Sequence, residues 1–246
     1  MHVLGEAFSY IGSHWSGADG VAHRFWEHIL LSLKAVLLAT VIALPVGLVL
    51  GHLRKGSFVA VSFSGVARAL PTLGLVVLVA VWRPLTEWPV IFVLALLAIP
   101  PILANTYVGV AGVETDTRDA ARGMGLTGSQ VLRRIEVPLA APLIMTGFRS
   151  AANQVIATAT VAAYVGLGGL GRFLIDGLAG GQKDQFTAGA IMVVLLALVV
   201  EGLFALLQRV TAPRGVGARA TMRRASVART SMGDITAVAG APVRVQ

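Results

Sequence analysis

The sequence predicts an all-α integral membrane protein of five spans. Three observations predict it. Of the 246 residues, 56% are hydrophobic and 13% charged, about half the charged share of a soluble domain. The mean hydropathy is +0.78, so the chain cannot build the polar shell that a soluble fold of this length requires. The apolar residues gather near 29–52, 60–82, 90–111, 140–163 and 188–208, each close to the roughly 20 residues of a helical span. Little length remains for a soluble catalytic domain. Cysteine is absent, which excludes disulfides, thiolate chemistry and cysteine-bearing metal sites.

Residues 1–27 read as an extracytoplasmic N-terminal segment. They carry Glu6, Asp19 and Glu27 and contain no apolar core, so no cleavable signal peptide is visible. Phe8, Tyr10, Trp15, Phe25 and Trp26 suit an interfacial helix at the outer face. The membrane domain follows as residues 28–210. In the second span Arg68 and Pro71 interrupt the apolar run, and in the third Pro100-Pro101 predicts a bend. Such breaks suit a segment buried in protein.

The net charge of +8 would suggest nucleic acid in a soluble protein. Here it follows the positive-inside rule. With the N-terminus outside and the C-terminus in the cytoplasm, the inside segments 53–57, 112–138 and 209–246 hold Arg54, Lys55, Arg118, Arg122, Arg133, Arg134, Arg209 and the arginines beyond it. The outside segments hold Arg24, Arg83, Arg172 and Lys183. Residues 211–246, rich in Ala, Gly, Arg, Ser and Thr without an apolar period, read as a disordered basic cytoplasmic tail.

The loop 112–138 is the longest polar stretch before the tail. A short helix is expected over Asp116–Met124. Gly125 or Gly128 breaks it, Ser129 caps a second short helix, and Pro138 and Pro142 open the fourth span. Two short amphipathic helices at the membrane surface suit docking to a soluble partner. The fourth span carries polar or small residues at helical spacing: Thr146, Arg149 or Ser150, Asn153, Ala157 and Thr160. A stripe of this kind avoids lipid. It either lines a translocation path or makes helix–helix hydrogen bonds. Arg149 is expected to pair with Glu201.

Other patterns carry less. Gly166-Leu-Gly168-Gly169-Leu-Gly171 matches a dinucleotide-binding string, but an apolar span precedes it where a βαβ unit is needed. A flexible outer gate or a tight turn at a helix end suits it better. Glu114, Asp116 and Asp119 lack the ordered spacing of a calcium loop, and His2, His14, His23, His28 and His52 form no HExxH. No nucleophile–base pair is visible, so the chain reads as a non-enzyme.

The loop string Asp119-Ala120-Ala121-x3-Gly125-x9-Ile135-x-Val137-Pro138 resembles the EAA loop of binding-protein-dependent ABC importer permeases. Asp119 stands where that pattern has Glu, and Val137 where it has Leu. His28-x3-Ser32-Leu33-x-Ala35, Ala69-Leu70-Pro71-Thr72-Leu73-Gly74, Ile99-Pro100-Pro101-Ile102-x2-Asn105-Thr106, Ala157-Thr158-Ala159-Thr160 and the glycine string resemble the osmoprotectant branch, the importers of glycine betaine, choline, carnitine and proline betaine. The resemblance covers roughly residues 25–210. It implies a five-span ABC type I importer permease (MetI-like) fold working by alternating access. It implies an ATPase-coupling site at Asp119, Ala120, Ala121, Gly125, Ile135 and Pro138. It further implies a cytoplasmic ABC ATPase dimer carrying ATP and Mg, an extracytoplasmic substrate-binding protein, and a second permease copy or related chain. No cofactor is expected on this chain. Methionine or another amino acid is the alternative cargo. An ion-coupled secondary transporter or channel is the alternative of another class, and it calls for inverted repeats and titratable groups at mid-membrane. No clear repeat is visible.

Overall fold

The computed structural model describes residues 2–55, 72–82 and 86–211, and all regular elements among them are helical. The chain divides into residues 1–210 and 211–246. The expected basic tail, Arg68 and Pro71, and the start of the second span lie outside the described residues. In order, α1 is His2–Ser13, α2 Val21–Leu53, α3 Thr72–Trp82, α4 Glu87–Ala111, α5 Thr115–Gly123 and α6 Gly128–Val131. A π-helical turn Leu132–Glu136 leads into α7, Val137–Ala159. A 3₁₀ turn Thr160–Val165, α8 Gly171–Ala179 and α9 Lys183–Thr211 follow.

The 33 residues of α2 extend about 50 Å at a rise of about 1.5 Å each, well beyond a hydrocarbon core of about 30 Å. Its buried face repeats every fourth residue as Leu31, Ala35, Ala39, Ala43, Gly47 and Gly51. Small side chains at this interval let backbones approach closely. A Cβ at Gly47 would stand 2.8 Å from Cβ of Thr106, and one at Gly51 2.7 Å from Cβ of Val110, so α4 lies directly in this groove. α4 is the central helix, buried along most of its length between α2 and α7. It runs unbroken through Pro100 and Pro101, both buried. Beside the prolines, Gly147 of α7 faces the Pro101 carbonyl, which also accepts from Asn105 Nδ2 at 2.8 Å.

Three helices among the described residues are long and apolar enough to cross a membrane: α2, α4 and α9. α3 is described over 11 residues. α7 is long enough, but Arg149, Asn153 and Gln154 lower its hydropathy. A second cluster, at the end opposite the α5–α6 loop, joins Tyr10 of α1, Val21 of α2, Ile156 of α7, Phe173 of α8 and Met192 of α9. The Tyr10 ring meets Phe173 edge-on at 6.2 Å. His28 is fully buried there, and its Nε2 donates to the Ile156 carbonyl at 3.0 Å.

Candidate functional site

The loop between α4 and α7 is a helix–turn–helix. α5 starts at Thr115, and its N-terminal acid Asp116 complements the helix dipole. It ends at a turn where Gly125 has φ +86°, a conformation that costs an L-residue about 1–2 kcal/mol. The next helix is capped by Thr127, not by Ser129. Gln130 Oε1 accepts from the Thr127 N–H at 2.8 Å, half of a capping box. Nor is this helix separate. α6 passes through the π turn straight into α7, one turn before the expected fourth span. Pro138 explains the register: it has no N–H for the carbonyl four residues back, so the helix widens there.

Asp119, Ala120, Gly125 and Pro138 are exposed, Ile135 is half-buried and Ala121 is buried. Asp119 lies 3.9 Å from Arg122 on the same exposed face. Met124 beside them is 72% exposed, an unsheltered apolar side chain in a polar loop.

Beneath this face is a buried ionic joint. Glu136, from the π turn, is fully buried. His52 Nδ1, in the last turn of α2, donates to Glu136 Oε2 at 2.7 Å. Arg118 of α5 puts Nε 3.0 Å from Glu136 Oε1 and donates through Nη2 to the Val110 carbonyl of α4 at 2.6 Å. Burial holds the Arg118 pKa below the ordinary arginine value, and the Glu136 carboxylate opposes that shift; arginine stays cationic at neutral pH. Arg54, just past α2, donates to the Val113 carbonyl at 2.6 Å and to Thr115 Oγ1 at 2.9 Å.

The polar face of α7 divides in two. Thr146, Arg149 and Asn153 turn to α9. Arg149 pairs with Glu201, as expected, and donates to Gln208 Oε1 at 3.2 Å. Asn153 Nδ2 donates to Glu201 at 2.6 Å, and Gln208 Nε2 donates to Thr146 Oγ1 at 2.9 Å. Ser150 and Ala157 instead stay exposed, in one row with Leu143. Thr160 lines a cavity of about 230 Å³ with Tyr164, Leu174 and Phe186.

The glycine string turns tightly between the 3₁₀ turn and α8. Gly166 and Gly169 have φ +82° and +92°. A Cβ at Gly168 would overlap the Glu27 carboxylate, and one at Gly171 the Thr160 carbonyl. Glu27 Oε2 accepts from Gly169 N–H and from Arg24 Nη1, both at 2.8 Å. Among the described residues no three His, Cys, Asp or Glu side chains gather as they would around a metal ion.

The family described as binding-protein-dependent transport system inner membrane component matches residues 43–212. That stretch contains the loop, the joint and both helices of the polar face. This chain belongs to that permease family.

The permease is 34% identical over 194 residues to the glycine betaine/carnitine/choline transport system permease protein OpuCB of Bacillus subtilis, covering 79% of this chain and 89% of that protein. It is 38% identical over 176 residues to the carnitine transport permease protein OpuCB of Listeria monocytogenes, 72% and 81% covered. It is 34% identical over 208 residues to the osmoprotectant import permease protein OsmW of Salmonella typhimurium, 81% and 95% covered. Its fold is similar to that of the inward-facing MetNI methionine ABC transporter, with a TM-score of 0.67 at 21% identity over 76% of this chain and 94% of that one. An amino acid ABC transporter solved with histidines follows at 0.61 and 17%. At such identity these likenesses show the fold. As a member of the permease family the chain is a transport component and not an enzyme, and its place is a membrane crossed several times.

Reading the permease from sequence misses Glu136, Arg118 and His52 as a unit. The signal available was Glu136 itself, an acid between Ile135 and Val137 next to a proline at the start of a span. Such a carboxylate needs a buried cation, and nothing in the chain order says which.

Proposed function

We propose that this permease is the transmembrane subunit of an ATP-driven importer of a quaternary amine osmoprotectant such as glycine betaine, choline or carnitine. The observation that carries the reading is the α5–α6 helix–turn–helix, with Asp119, Ala120, Met124 and Gly125 exposed on one face. A cytoplasmic ABC ATPase dimer seats on this face. Small residues permit close approach, Met124 offers an adaptable apolar contact, and Asp119 and Arg122 offer charges. The cargo rests on the relatives, which are named for glycine betaine, carnitine and choline transport. ATP and Mg are held by the ATPase, not by this chain.

The loop end then faces the cytoplasm, and α1 with the glycine turn faces outside, where a loaded substrate-binding protein docks. α3 and α7 complete five spans. The exposed row Leu143, Ser150 and Ala157 on α7 faces a second copy or a related chain across the translocation path, and Thr160 opens onto its outer part. Gly166–Gly171 serves as the outer gate. Cargo access alternates as the ATPases close on ATP and reset on hydrolysis.

Gentle purification of the tagged permease tests this. An ATPase should come with the wild type and be lost on Met124→Asp or on replacement of Asp119–Ala121, and the assembly should import glycine betaine with ATP. A clean permease that moves solute without an ATPase refutes the reading.

A further inference from the structure

Two features single out the buried joint under the docking face. The first is how little else attaches α5 to the bundle. Of its nine residues, Arg118 and Ala121 are buried. A force applied to the exposed side of α5 therefore enters the bundle through few side chains: Arg118, Ala121 and the Arg54–Thr115 contact at the start of the helix. The second is where that side chain leads. One guanidinium contacts three helical segments: the end of α4 through the Val110 carbonyl, the π turn through Glu136, and the end of α2, where Nη1 lies 3.5 Å from the His52 carbonyl. Glu136 closes the ring by accepting from His52 Nδ1. Behind Glu136 the helix continues into α7 and its polar face.

A buried ion pair is a poor device for stability alone, since apolar side chains of similar size often do as well or better. What it provides is a fixed attachment: Nη2 of Arg118 donates to the Val110 carbonyl, and the same guanidinium holds Glu136 by charge, with Nε 3.0 Å from Oε1. Arg54 adds a second strut from α2 to the loop at Val113 and Thr115. Gly51 brings α2 and α4 together beside the joint.

We propose that Arg118, Glu136 and His52 form the mechanical joint that converts displacement of α5 into movement of α2 and α7, with Arg54 holding the loop's origin to α2. These are positioning residues. They touch neither the ATPase nor the cargo, and they set how much of the ATPase stroke reaches the membrane helices. The proposal rests on the importer reading above.

The test uses the complete importer, permease with its ATPase and binding protein, reconstituted in proteoliposomes. Labelled glycine betaine taken up is divided by ATP hydrolysed. The variants are Glu136→Gln, Arg118→Lys and the double Arg118→Met/Glu136→Leu. The double variant leaves no buried charge uncompensated between these two partners and so guards against misfolding of the singles. The joint predicts that each assembled variant retains its ATPase while cargo per ATP falls by about fivefold or more, the low end of a typical coupling between sites. The proposal is overturned if the assembled double variant transports with the wild-type ratio, or if every loss of uptake is matched by equal loss of bound ATPase. A wild-type permease that retains no ATPase sinks the importer reading instead, a separate outcome.

Discussion

Glu201 is one of the side chains that tie α9 to the bundle, and replacing it has a calculable cost. Its carboxylate pairs with Arg149 and accepts from Asn153 at 2.6 Å. Interhelical hydrogen bonds in membranes average about 0.6 kcal/mol and reach about 1.7. Glu201→Ala removes two. It also leaves Arg149 without its counter-ion, which would cost about 2.5–3.5 kcal/mol at the centre of a bilayer. That figure is too high here, because Arg149 keeps Gln208 at 3.2 Å and its side chain is 34% exposed. The net expectation is a loss of about 2–3 kcal/mol. Arg149→Leu alone strands Glu201 and costs a similar amount. The double variant Arg149→Leu/Glu201→Leu removes both charges and should fall within about 1 kcal/mol of wild type, a coupling of at least about 3 kcal/mol. Unfolding in nanodiscs, followed by intrinsic tryptophan fluorescence across the four variants of the cycle, measures this. Single effects that simply add in the double variant would show that Arg149 and Glu201 do not act together, and the reasoning fails.

Other predictions are more local. Gly125→Ala meets nothing within 4 Å, so its cost is the backbone conformation alone, about 1 kcal/mol and roughly fivefold in ATPase retention. Gly125→Asn, which tolerates the left-handed region, should lose less; equal losses from both would place the fault in the side chain. Gly47→Val drives methyls into Thr106 of α4 and should lower stability by about 1–3 kcal/mol in the same unfolding assay. Gly168→Ala displaces the Glu27 carboxylate from Gly169 N–H. It should raise protease or hydrogen-exchange susceptibility of residues 166–171 while leaving ATPase retention at wild-type level.

Much of this molecule is legible without its structure, because the signals are local. Hydropathy marks the helices, since burial of apolar surface needs no knowledge of partners. The DAA string, its glycine and Ile135-x-Val137-Pro138 mark the loop. The four-residue interval of small residues on α2 is written in the chain as well. The α7 stripe shows the limit. Spacing alone allows either a path or helix–helix bonding for Thr146, Ser150, Asn153 and Ala157, and only the position of α9 assigns Thr146 and Asn153 to Glu201 and Gln208 while leaving Ser150 and Ala157 exposed.

The sequence by itself thus determines that the chain is apolar and helical, and where it turns. The tertiary structure decides which charges are surface and which are joint. Arg118 and Glu136 look in sequence like two more charges of a basic loop, and His52 like the end of a span. They meet because α2, α4 and the π turn converge, across 84 residues for His52 and Glu136. The reason is physical: a helical period is set by bonds four residues long, whereas a buried ion needs a partner from anywhere that the packing brings within about 3 Å.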